Sequence, residues 1–205
     1  MTKETVRIDS SGAGMAEALG TAVRFGEEAS LGKQSGIRLR LLAEELIGLL
    51  RGITGNIPAD FTIEREGKSF CLKLKGEVPM DKHIRDELLK AASAHQNSAA
   101  KGFMAQIRDM ISAMVLPGTL GNTVISGMSM GLINMGSPAA GLDYTTGAES
   151  YMWSMEKYIS SVQENDRNQV HADFERSIVA NIADEVKVYI QSSSVEVVIF
   201  KKFDD

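Results

Sequence analysis

The stretch of this 205-residue chain best placed to do chemistry is "LRLLAEELIGLL", residues 39–50. Its spacing predicts a helix. Leu42, Leu46, Leu49 and Ile53 fall at i, i+4, i+7 and i+11 and make one apolar stripe. Ile37, Leu41, Glu44 and Gly48 form a second line along the stripe's edge, so Glu44 and Gly48 lie one above the other while Glu45 points elsewhere. A glutamate beside a buried stripe is unfavourable unless it is paired or needed. Glycine inside a helix costs about 1 kcal/mol relative to alanine. Either Glu44 is incidental, pairing with Arg40 one turn back, and Gly48 lets another helix come close, or the helix lines a site that uses a carboxylate.

Other chemistry is sparse. His83, His95 and His171 are scattered, with no HExxH and no second ligand at helical spacing, so no metal site is expected. Cys71 sits in a strand pattern with Lys73 and Lys75 on its face, a setting that would favour a thiolate. No Ser/His/Asp grouping follows from spacing, and no GxxxxGK[ST] phosphate loop is present. "GTLGNTVISGMSMG" does offer Gly118, Gly121, Gly127 and Gly131, enough for a nest of backbone amides.

Composition narrows the classes. The net charge is −5 with no lysine–arginine cluster, so no nucleic-acid partner is expected. A single cysteine excludes an internal disulfide framework and suits a reducing, cytoplasmic setting. The opening "MTKETVRIDSSG" lacks the apolar core of a secretory signal. From Met110 to Leu142 no residue is charged, but Pro117, Asn122, Asn134, Pro138 and repeated glycines interrupt the run. A membrane span needs about 20 predominantly apolar residues. The segment therefore reads as a Gly-rich loop between helices, the alternative being a membrane-associated protein whose uncharged segment inserts into lipid.

The elements that would position these residues read as one α+β domain, 1–205. "TVRID" (5–9) suggests a strand, and Ser10 or Ser11 a cap for a helix over about 15–29 that turns Leu19, Ala22, Val23 and Gly26 inward. Ser35 would cap the second helix. "FTIEREGKSFCLKLKG" (61–76) alternates Phe61, Ile63 and Arg65 against Phe70, Leu72 and Leu74 around Gly67, a hairpin with one face buried. Helices are expected near 81–95, 101–115 and 147–163, the last carrying Met152, Met155, Ile159 and Val162. "HADFERSIVANIA" reads as a further helix. "DEVKVYI" and the run Val195, Val197, Ile199 then read as strands joined by a turn at 192–194. The predicted fold is a two-layer sandwich of helices on a mixed, mostly antiparallel sheet. Residues 79–171 form a helical insertion that includes the uncharged Gly/Met-rich loop at about 116–147.

That order resembles the GHKL (Bergerat) ATP-binding fold, the histidine-kinase-like ATPases, and in particular its anti-sigma-factor serine kinase branch. The likeness rests on "AEELIGLL", the 61–76 hairpin and "SIVANIADEVKVYIQSSSVEVVIFKKF", and covers about 1–78 and 172–203. It implies that Glu44 stands where the family's helix carries the glutamate that orients or deprotonates the attacking group in phosphoryl transfer. Such chemistry is mostly positioning and charge neutralisation, with Mg²⁺ on the phosphates of ATP. At the family's metal-holding asparagine this chain has Gly48. At its adenine-reading aspartate it has Gly76, with Glu77 adjacent. The phosphate-cradling glycines would be Gly118 and Gly121. The resemblance thus implies a retained scaffold with a degenerate site and no cofactor, or ATP with Mg²⁺ if the contacts are rearranged.

Eight of the eleven methionines lie between Met104 and Met155. Met104, Met110, Met114 and Met155 suit a core. Met128, Met130 and Met135 fall among glycines, where a packed core is hard to build, and suit a protein interface. By the resemblance the partner would be a sigma factor or an anti-anti-sigma-like domain. Exposed apolar loop residues also suit association of two copies of the chain.

Overall fold

The computed structural model describes residues 1–49, 57–77, 142–143, 150–161, 177–191 and 194–204. The expected helices at 81–95 and 101–115, and most of the 116–147 loop, lie outside them. In chain order the elements are β1 (Thr2–Ile8), α1 (Met15–Glu28), α2 (Lys33–Gly48), β2 (Ala59–Glu66), β3 (Ser69–Glu77), β4 (Leu142–Asp143), β5 (Ser150–Ser154), α3 (Met155–Ser161), α4 (Ile178–Ile182), β6 (Glu185–Gln191) and β7 (Ser194–Lys202). The strands form one sheet in the order β1-β2-β3-β7-β6-β5-β4. Every pairing is antiparallel, so the described sheet is not mixed as expected.

Period-two patterning builds the sheet. Val6 and Ile8 on β1, Phe61 and Ile63 on β2, Leu72 and Leu74 on β3, Val188 on β6 and Val197 and Ile199 on β7 are all buried in one core. Against them α1 sets Ala18, Ala22 and Phe25, and α2 sets Leu39, Leu42, Ala43, Leu46 and Ile47. Each large apolar side chain so buried contributes about 1.5–3 kcal/mol. Helices α1 and α2 pack on each other, α1 also on β1 and α2 on β3 and α4. The result is an α+β layer of helices on one face of an antiparallel sheet.

The hairpin reading holds, with a detail added. Glu66 pairs with Ser69, leaving a two-residue turn in which Gly67 has φ +60°. That left-handed conformation at the first turn position suits glycine. The expectation of one buried face fails at β2, where Thr62 and Glu64 on the far side are also buried. Cross-strand partners cover them. Thr5 and Thr62 share a hydrogen bond of 2.9 Å. Lys3 and Lys73 reach Glu64 at 3.2 and 2.8 Å. Arg7 meets Asp60 at 2.8 Å. Opposite charges facing each other across strands contribute about 0.2–1 kcal/mol each.

Four other local expectations are corrected. Neither Ser10 nor Ser11 caps α1. The N-cap is Gly14, and Ser11 instead donates to the Asp9 carboxylate. Ser35 does not cap α2, which starts from Gly32 and buries Ser35 in its first turn. Val23 faces out, 38% exposed. The helix expected over 147–163 is divided. Residues 150–154 are strand β5, paired to β6, and the helix starts only at Met155. Two acceptors set that start. Ser154 Oγ accepts the Lys157 amide at 3.1 Å. Glu185 Oε1 accepts those of Met155 and Glu156 at 3.0 and 3.3 Å. The 79–171 insertion is therefore not wholly helical.

Candidate functional site

Helix α2 presents Glu44 and Gly48 as its sequence spacing requires. Glu44 is 37% exposed at its side chain and is engaged: Arg40 Nε donates to its Oε1 at 2.9 Å. An exposed i, i+4 pair of this kind contributes a few tenths of a kcal/mol. The contact points the carboxylate back along the helix toward Arg40. Gly48 is exposed at the last residue of α2. A Cβ built on it meets no described atom within 4 Å, so no described element approaches closely there. The idea that Gly48 admits a neighbouring helix finds no such neighbour among the described residues.

Because nothing crowds Gly48, Gly48→Ala should fold normally and gain about 0.5 kcal/mol in urea denaturation, the lower part of the glycine–alanine difference. A loss instead would reveal a close neighbour.

Gly76 and Glu77 lie inside β3, not beyond it. Gly76 pairs with Ala59 on one side and Val195 on the other, and Glu77 pairs with Ser194. Alternation puts Gly76 on the helix-covered face with Leu74, and Glu77 on the opposite face with Lys75. A carboxylate at 77 therefore faces away from α2. Gly118, Gly121, Met128, Met130 and Met135 lie outside the described residues, as do the three histidines. Among the described residues no group of three His, Cys, Asp or Glu could hold a metal ion.

The sheet face opposite α1 and α2 holds the group that sequence reasoning missed. Glu64 is 8% exposed as a residue. Its carboxyl is held below the usual carboxylate range chiefly by the hydrogen bond from Lys73, with Lys3 adding to it and burial opposing. Its two cationic partners come from β1 and β3, so only the strand register brings them together. Cys71 stands directly opposite Glu64 on β3. Burial pushes its thiol up to about 11; Lys73 pulls down, while Glu64 and Glu196 add to the rise. Burial thus outweighs the lysines on the Cys71 face, and the setting does not favour a thiolate.

From an ordinary value of 9.0, that shift makes the thiolate about 100-fold scarcer near pH 8. Higher basicity makes each thiolate a better nucleophile and recovers part of the loss. Cys71 should therefore react with iodoacetamide at pH 8 at least about tenfold more slowly in the folded protein than in urea. Equal rates would contradict this placement.

No family model matches this chain, and a search of curated proteins gives no match. No described helix is long and apolar enough to cross a membrane.

Proposed function

We propose that this chain is a bacterial regulatory protein on the GHKL ATP-binding fold, akin to the anti-sigma-factor serine kinases, that acts by binding another protein. Two features support the fold: the order β1-α1-α2-β2-β3 followed at the end by α4-β6-β7, and the adjacency β1-β2-β3-β7-β6 within one sheet. The observation that carries the loss of nucleotide chemistry is the condition of α2 and β3. Glu44, at the position of the base, is tied to Arg40. Gly48, at the position of the metal-holding asparagine, has no side chain. Gly76, at the position of the adenine-reading aspartate, sits within a strand ladder, and Glu77 faces the other way. Phosphoryl transfer depends on positioning and on neutralising phosphate charge. Without those ligands, ATP and Mg²⁺ have little to hold them.

By analogy, the partner is a sigma factor or an anti-anti-sigma-like domain. Met128, Met130 and Met135 are the sequence's best candidates to meet it.

Calorimetric titration with Mg²⁺-ATP and Mg²⁺-ADP tests the reading. The expected dissociation constant is weaker than about 1 mM, under about 4 kcal/mol of binding free energy, and is the same in Glu44→Ala. Micromolar binding that the variant weakens would overturn the proposal and make the chain a working ATP-dependent serine kinase or ATPase.

A further inference from the structure

We draw no further inference here: the strongest candidate, the outer face of the α1–α2 layer around the exposed Val23 and Ile37, is an unpartnered apolar face, and nothing in the structure shows what covers it.

Discussion

Replacing Gly14 with alanine is expected to destabilise the protein by about 3 kcal/mol, a large fraction of the roughly 5–15 kcal/mol that holds a domain folded. Two independent costs meet at this residue. Its φ is +75°, a left-handed conformation that costs an L-residue about 1–2 kcal/mol. In addition, a Cβ there would stand 2.0 Å from the carbonyl oxygen of Arg7 and 3.0 Å from its carbon. Those atoms are backbone and cannot swing aside, so either the end of β1 or the start of α1 must move; forced overpacking of this kind costs about 1–3 kcal/mol.

The surrounding turn leaves little slack. Asp9 donates its amide to the Ala13 carbonyl at 3.1 Å and accepts that of Gly12 at 3.2 Å. The Asp9 carboxylate also accepts from the Ser11 and Ala13 amides, at 2.8 and 3.2 Å. Gly12 is the internal control. Its φ is +103°, but a Cβ there meets nothing within 4 Å, so Gly12→Ala carries strain without collision and should cost about 1 kcal/mol. Urea denaturation of both variants separates the terms. Equal losses would mean that the chain relaxes around the Gly14 contact, and that the β1–α1 junction shifts to admit a side chain.

The same turn shows what a sequence can and cannot reveal. Serines before a helix suggest a cap, and Ser10 and Ser11 stand in that place. A carboxylate two residues upstream of Ser11 competes for it, and the short connection from β1 needs a left-handed residue at the helix start. Signals confined to a few neighbouring residues were legible: the β2–β3 hairpin around Gly67, the closing pair β6–β7, and the Arg40–Glu44 pair at one helical turn. Whatever depends on strands distant in sequence was not. Glu64 reads as an ordinary outward residue of an alternating strand until β1 and β3 bring Lys3 and Lys73 to it. The pairing of Gly76 with Val195 and of Glu77 with Ser194 likewise follows from register. At the candidate site, Glu44 and Gly48 were placed on one line by helical periodicity, and the structure keeps them there. That no described atom crowds the glycine depends on how the distant elements pack, which no local spacing shows.

Strand β5 is the clearest case of tertiary context overruling local pattern, and it leads to the second large effect. Met152, Met155 and Ile159 are spaced by three and four, which fits a helix. Trp153 settles the matter differently. It lies opposite Val188 of β6, is 1% exposed and belongs to the same core as Phe61 and Leu72. Burying a tryptophan against an existing sheet gains more than continuing a short helix backwards would, since helical propensity differences are only tenths of a kcal/mol per residue. Trp153→Ala should therefore cost about 3–5 kcal/mol, as large aromatic truncations in cores do. The loss is best followed by far-ultraviolet circular dichroism, because Trp153 is the chain's one tryptophan and the variant has no indole signal. Trp153→Phe should recover much of the loss by refilling the space. In the unaltered protein the indole emission should be blue-shifted and shift red on unfolding.

A cost under about 1 kcal/mol would place Trp153 at the surface and detach β5 from the sheet. A full loss would instead show that part of the segment between β3 and α4 is integral to the core. On the proposed reading, the phosphate-cradling glycines of this chain would have to come from this same segment. Strand Ser150–Ser154 extends the sheet beyond β6 and is not available as loop.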